Sequence, residues 1–455
     1  MSADVIFLAI VFMVLLCGYP VGLTLGGVSM LFAGALYLLG GFDGALFLAL
    51  PSRLFGVMSN PVLVSIPLFV FMGLVLDRSR IAADMLQAAS GLFKGSAAGL
   101  TVSVTLVGML LAASTGIVGA SVVALGVVAL PTMLRNGISP QMASGSVAAA
   151  GTLGQILPPS IVLIVLGDQM SNAWQKAQLD GGNFAPDTVS VADLFAGALI
   201  PGLLLVALYV AYQLFAVKRV PQGKSVEYEL NQLPSLRVFT FPLLLIIAVL
   251  GSMLCGLATA TEAASVGAVG ALLLAWGRLD RTRFKDVVFE SGHLTAMIFL
   301  IIIGASMFSL VFRGLGGEET IVGFLSELPG GTYGALFMVM AVIFVLGFFL
   351  EFLEISFVVV PLVAPVLLAM PMADGSMMSP VWLGVLIALN LQTSFLTPPF
   401  GVSLFYLRSV APQEITTRMI YRGVSPFVVL QLIALLVVAI FPALATFLPS
   451  ILFSG

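Results

Sequence analysis

The stretch GTLGQILPPSI, residues 151–161, lies inside an apolar run from about Met142 to Leu166 that is long enough to cross a bilayer. A spanning helix is a poor place for Pro158 and Pro159, with Gly151 and Gly154 just before them. Each proline removes a backbone donor and clashes with the preceding turn. In hydrocarbon the freed carbonyls would find no water. Such a break persists only where it is buried in protein or lines a wet cavity, so the stretch points to a membrane protein with a polar interior.

The rest of the chain agrees. Of 455 residues, 60% are hydrophobic and 9% are charged. Apolar runs fall near 4–22, 23–41, 61–76, 97–134, 140–166, 192–217, 238–255, 257–277, 291–312, 333–370, 380–407 and 424–448, the mark of many spanning helices. The net charge of −3 has no basic block behind it, which argues against nucleic acid as a partner. Cys17 and Cys255 lie in apolar segments and suggest neither a disulfide framework nor a metal site. The single histidine, His293, reads as a helix-end residue near the interface, and no HExxH occurs. QGKS at 222–225 would need a glycine where Lys218 stands to make a phosphate loop. The chain therefore reads as no enzyme. Its start, MSADVIF, lacks a positive n-region, so the first apolar run is expected to be a retained helix.

The longest polar interruption, 218–237, falls near the middle, and landmarks repeat on either side of it. An offset of 240 brings Pro131 onto Pro371, Ser139-Pro140 onto Ser379-Pro380, and Pro158-Pro159 onto Pro398-Pro399. Leu16-Cys17-Gly18 meets Leu254-Cys255-Gly256 at an offset of 238. This order implies a duplication. The first repeat is expected at 1–217, with a hairpin at 97–134 and a broken helix at 140–166. Residues 218–237 form a cytoplasmic linker. The second repeat is expected at 238–455, with a hairpin at 333–370 and a broken helix at 380–407. The two hairpin runs are too long for one crossing; each is two spans or a re-entrant hairpin, and both alternatives return the chain to its starting side. Each half then makes an odd number of crossings, so the halves are inverted repeats, a common plan of secondary transporters.

Charge placement follows this topology. With the linker inside, 15 of the 18 Lys and Arg residues fall in cytoplasmic loops; Arg53, Lys176 and Arg313 fall outside. The outer loops are acidic, with Asp168, Asp180, Asp187 and Asp193, then Glu318, Glu319 and Glu327. Both termini come out on the external, periplasmic side. Segments 42–60, 79–95 and 316–330 mix polar and apolar residues and read as lying along the interface.

Ser139-Pro140 and Ser379-Pro380 read as helix starts, serine as N-cap and proline in the first turn. The breaks follow: Gly151-Thr152-Leu153-Gly154 with Pro158-Pro159-Ser160, and Gln392-Thr393-Ser394 with Thr397-Pro398-Pro399 and Gly401. Each hairpin brings a hydroxyl-bearing tip: Ser114-Thr115-Gly116 through Ser121, and Gly347 through Glu351, Glu354 and Ser356. Free carbonyls at broken helices bind Na⁺, and half-helix N-termini favour a carboxylate. Prolines and glycines that merely kink packed helices are the plainer alternative; two matched breaks beside two polar tips favour a site. Three carboxylates lie within apolar runs, and intramembrane acids are costly. Glu351 and Glu354 share a helix face if that stretch is helical. Glu354 either ligates a cation or caps the helix after the tip. For Glu262, a structural role in holding backbone or a neighbouring helix is favoured. Glycines such as Gly22, Gly26 and Gly27 read as packing positions.

The motifs IPLFVFMG at 66–73, AGTLGQILPPSI at 150–161, TATEAASVG at 259–267 and LTPPFG at 396–401 resemble the large membrane subunit of TRAP (tripartite ATP-independent periplasmic) transporters, essentially end to end. The first tip departs from the family's frequent Ser-Gly-Ser. The resemblance implies an all-α polytopic fold in the bacterial inner membrane: about ten full spans, two re-entrant hairpins and two broken helices, working as an elevator. It implies Na⁺-driven import of an organic acid, with no cofactor beyond Na⁺. A periplasmic substrate-binding protein and a small four-helix membrane subunit are the implied partners. Glu351, Glu354 and the outer loop 168–193 resemble the branch tied to keto, hydroxy or aromatic acids. The expected cation ligands are Ser114, Thr115, Gly116, Thr152, Gly154 and Pro158 at one site. At the other they are Glu354, Ser356, Thr393, Ser394 and Thr397. Ser114, Thr115, Ser356, Thr393 and Ser394 are also expected to touch the substrate. No arginine lies in the expected core. The rivals are a self-sufficient carboxylate carrier, a channel and an intramembrane enzyme.

Overall fold

Serine followed by proline opens both broken helices. Ser139 Oγ accepts from Met142 N at 3.3 Å, Ser379 Oγ accepts from Trp382 N at 3.4 Å, and Pro140 and Pro380 take the first helical positions. A proline there forfeits only an N–H that has no intrahelical partner anyway.

The structure is a computed structural model and describes residues 2–79, 81, 84–85, 88, 97–115, 118–217 and 237–453. The linker, most of the interfacial segment 79–95 and Gly116 at the first tip lie outside the described residues, as do the side chains of Ser114 and Thr115. The first part of the chain forms α1 (Ala3–Leu16), α2 (Val21–Leu38), α3 (Leu50–Ser59), α4 (Pro61–Arg78), α5 (Ala97–Thr115), α6 (Val118–Arg135), α7 (Pro140–Thr152), α8 (Ile161–Asp180) and α9 (Val191–Val217). Then come α10 (Arg237–Leu254), α11 (Ala260–Leu274), α12 (Arg281–Gly314), α13 (Gly317–Ser326), α14 (Gly331–Leu346), α15 (Phe352–Ala369), α16 (Pro380–Leu396), α17 (Val402–Val410), α18 (Thr417–Ile440) and α19 (Ala443–Phe453). No strand occurs among the described residues. Seven of these helices are long and apolar enough to cross a membrane. Large apolar side chains such as Leu31, Leu38, Trp276 and Phe337 stand more than three-quarters exposed, as a lipid-facing surface requires and a water-soluble one avoids.

Two outer packings repeat across the chain. Helix α2 lies on α12, and α11 lies on α4. In the first, a methyl group on Gly22 would come within 2.6 Å of Leu300 O. In the second, the hydroxyl of Thr261 donates to Pro61 O at 2.6 Å. Gly22 and Thr261 are 239 residues apart, as are Pro61 and Leu300. One close approach has been filled by hydrogen and the other by a hydroxyl that satisfies the carbonyl it meets. Gly22 is therefore a packing position.

The run 97–134 resolves into the antiparallel pair α5 and α6, and 333–370 into α14 and α15 with a turn at 347–351. Three expectations change. The stretch 168–193 is no long loop: α8 continues through Asp180, because its C-terminal end keeps helix-forming residues after the apolar ones stop. The run 291–312 is the later part of a 34-residue helix started by Asp280, whose side chain accepts from Arg283 N. His293 consequently sits well inside α12, exposed, and not at a helix end.

Candidate functional site at the two helix breaks

Helix α7 runs to Thr152, tightens into a 3₁₀ turn at Leu153–Gln155 and restarts as α8 at Ile161. Helix α16 runs to Leu396 and restarts as α17 at Val402. Pro158-Pro159 and Pro398-Pro399 both have cis bonds. The second break is thus shorter than its residues suggested: Gln392, Thr393 and Ser394 are helical, and only Thr397 to Gly401 leave the helix. Polar side chains alone do not break a helix; the proline pair does, by blocking the residue before it as well.

The two broken helices meet ahead of their breaks. Gln392 Nε2 lies 3.5 Å from Thr152 Oγ1, between residues 240 apart. Each hairpin closes on its own half's broken helix. Gly154 lies against the main chain of Ala112, near the first tip, where a methyl group would come within 2.6 Å of the carbonyl carbon. Gly347, at the second turn, lies against Ser394, with a methyl at 2.7 Å from its Cβ. Phe349 and Phe400 join the second turn to the second break, ring centroids 5.4 Å apart. The hairpins also reach across: α15 packs on α8, and α6 packs on α17, where Gly119 faces the ring of Tyr406.

The interior so formed is polar and nearly free of charge. Thr152, Gln155, Ser160, Ser356, Gln392, Thr393 and Ser394 are all fully buried. The hydroxyls of Thr152, Thr393, Ser394 and Thr397 donate to carbonyls of their own helices, at 2.7–2.8 Å. A hydroxyl used this way keeps its lone pairs for another partner, as a cation ligand must. Gln155 at both side-chain atoms, Gln392 Oε1 and Ser356 Oγ are buried without a partner. Such orphans are rare in a native interior unless water, an ion or a substrate meets them. Ser356 stands on a π-helical turn, Ile355–Val359, a distortion frequent at functional sites.

Glu354 has a definite task. Its Oε2 accepts from Glu351 N at 2.9 Å, and the Glu351 side chain accepts in return from the Glu354 backbone, a reciprocal cap at the start of α15. This is the capping alternative. Glu262 closes a similar box with Thr259, accepting from its N at 2.8 Å, so the structural reading holds there. Among the described residues no three His, Cys, Asp or Glu side chains converge, so the donors at the breaks are hydroxyls, amides and carbonyls. Oxygen donors of this kind suit hard cations in general.

The described positions of the expected set therefore gather around the breaks, with Pro158 and Thr397 in the breaks' own backbone. Gln155 and Gln392 were missed as site residues. A lone glutamine beside a break was the available signal, and it is a weak one until burial is known.

The model of the family described as "Tripartite ATP-independent periplasmic transporter, DctM component" matches residues 8–444. The chain belongs to that family. It is 29% identical to the C4-dicarboxylate TRAP transporter large permease protein DctM of Pseudomonas aeruginosa, over 88% of this chain and 89% of that one. It is 26% identical to the sialic acid TRAP transporter large permease protein SiaM of Vibrio cholerae, over 96% of each. Among solved structures, the YdaH transporter of Alcanivorax borkumensis has a similar fold, with a TM-score of 0.61 at 14% identity, covering 100% of this chain and 99% of that one. As a DctM family member the chain is a multi-pass large permease subunit of a transporter. Two of the four motifs that suggested this family, 150–161 and 396–401, contain the two breaks.

Proposed function

We propose that this DctM-family subunit imports an organic acid across the bacterial inner membrane on a Na⁺ gradient. In this reading it has ten full crossings, two re-entrant hairpins and both termini in the periplasm. Its halves, 1–217 and 238–455, are inverted repeats. A periplasmic binding protein delivers the acid, and a small four-helix subunit packs beside this chain. The relatives named for C4-dicarboxylate and sialic acid support a carboxylate cargo.

The observation that carries the proposal is the contact between Thr152 and Gln392, where the two broken helices meet ahead of their breaks inside a buried polar core. One Na⁺ is held by Ser114, Thr115, Gly116, Thr152, Gly154 and Pro158, largely through carbonyls of the glycine-rich break. A second is held by Ser356, Thr393, Ser394 and Thr397, with Glu354 capping or ligating at the edge. The acid lies between the tips, against Ser114, Thr115, Ser356, Thr393 and Ser394, with the N-termini of α8 and α17 favouring its negative charge. The hairpins and broken helices move together as the elevator, past the paired arms of α2 with α12 and α4 with α11.

The test is uptake in proteoliposomes containing this chain and the small membrane protein encoded beside it, with no ATP. The neighbouring binding protein, loaded with labelled acid, is added with or without an inward Na⁺ gradient. Uptake that needs both supports the reading. Uptake without the binding protein would make the chain an autonomous carrier and overturn the delivery step.

A further inference from the structure

Arg53 and Arg313, two of the three basic residues assigned to the outer side, line one cavity of about 440 Å³. It lies between the arm helices α3, α4 and α12 and the elements bearing the site, α8 and α15. That volume fits a small organic molecule and is too small for a protein surface. Its walls are apolar at Ile302, Ala305 and Phe357, which strengthens the field of any charge inside.

The charges are arranged asymmetrically. The one lining carboxylate, Asp168, is saturated by amides: Asn60 Nδ2 donates to Oδ1 at 2.8 Å, and Gln169 Nε2 and Asn172 Nδ2 donate to Oδ2 at 2.9 and 3.4 Å. Arg53 has no ion pair among the described residues. Among the described residues Arg313 makes one ion pair, with Glu318 at 3.7 Å, a carboxylate shared with Lys176, and Asp180 acts on it from further off. Two guanidinium groups therefore face a cavity whose own carboxylate is otherwise engaged. A guanidinium left in this state suits a carboxylate, which it can meet with two parallel N–H bonds.

We infer that this outer cleft is a first-contact site for the carboxylate of the transported acid, with Arg53 and Arg313 as its ligands, separate from the hydroxyl-lined core. The inference rests on the proposed import of an organic acid. The acid arrives at a cationic vestibule between moving and stationary elements, then passes to the neutral core, where no arginine holds it back. Asn60, the N-cap of arm helix α4, bonds Asp168 on α8, so the same cleft is bridged by a contact between those elements.

The test uses the purified complex of this chain with its small subunit. The probe is whichever of succinate, pyruvate, lactate and N-acetylneuraminate the neighbouring binding protein retains. Acid-dependent thermal stabilisation is measured without the binding protein, and uptake is measured with it. The R53Q/R313Q double variant is expected to need about tenfold more acid for half-maximal stabilisation and to lose about tenfold in uptake at subsaturating acid, the effect of removing charge-assisted hydrogen bonds. The R53K/R313K variant should recover part of both, with capture of the loaded binding protein unchanged. If the double variant is not monodisperse, Ser309→Asp in the cleft wall should repel the same probe. Unaltered stabilisation and uptake would overturn the inference, and so would loss of binding-protein capture with acid binding intact, which would assign the arginines to the protein contact. Absent wild-type uptake of any acid would sink the import reading instead, while the stabilisation arm would still report on the cleft.

Discussion

The two breaks occupy matched places and are built from different chemistry. The first leaves the α-helix after Thr152 and does not return to it until Ile161; Gly154 there admits the Ala112 main chain, beside the buried side chains of Thr152, Gln155 and Ser160. The second keeps Gln392, Thr393 and Ser394 helical and opens only at Thr397; its polar capacity is mostly side-chain hydroxyl. Gly154 and Ser394 are 240 residues apart, and each lies against its own hairpin. Similar backbone architecture thus tolerates two ways of presenting oxygen. A glycine makes room for a neighbouring carbonyl, and a serine fills the room with an oxygen of its own.

Exchanging those solutions is the strongest way to break the comparison. Gly154→Ala forces a methyl group into the Ala112 main chain. It should abolish Na⁺-driven uptake and lower the melting temperature by several degrees, as an overpacked site costs about 1–3 kcal/mol. Ser394→Ala, at the matched position, should leave the melting temperature nearly unchanged and raise the Na⁺ concentration for half-maximal uptake about tenfold, as for a lost charge-assisted contact. Equal effects of the two variants on both readouts would contradict the division into main-chain and side-chain sites. Next in size is Thr152→Val, which keeps the shape and removes the acceptor facing Gln392. Leaving that buried amide unmet should cost about 1–3 kcal/mol, read from thermal unfolding, and weaken Na⁺ dependence as well.

Smaller effects sharpen the symmetry. Ser139→Ala and Ser379→Ala each remove an N-cap and should each cost about 1 kcal/mol without a change in Na⁺ half-saturation. A large difference between them would mean that one half bears more of the strain of transport. The smallest effect is expected from Glu354→Gln. Glutamine can close the same capping box, so uptake and Na⁺ dependence should stay within about twofold of the parent. A large rise in the Na⁺ requirement would move Glu354 from the cap to the cation.

Much of this was legible from residue order. Ser-Pro pairs, Pro-Pro pairs and apolar run lengths act locally, so the helix starts, the hairpins and the existence of both breaks could be read. The onset of the second break could not, because Gln392, Thr393 and Ser394 read as part of it and stay helical up to the proline pair. The work of Glu354 depended on a turn that brings Glu351 N within reach. The cleft of Arg53 and Arg313 depended on segments more than two hundred residues apart.

The contact between Thr152 and Gln392 has a historical consequence. If the halves descend from one half-length gene, these two positions were once a single residue meeting its own copy in an antiparallel homodimer. On such an axis any substitution appears twice, and the residue must be complementary to itself. On that premise, fusion of the two copies would lift the constraint. One side could keep a small hydroxyl and the other acquire a long amide, a pairing that no symmetric dimer could have encoded.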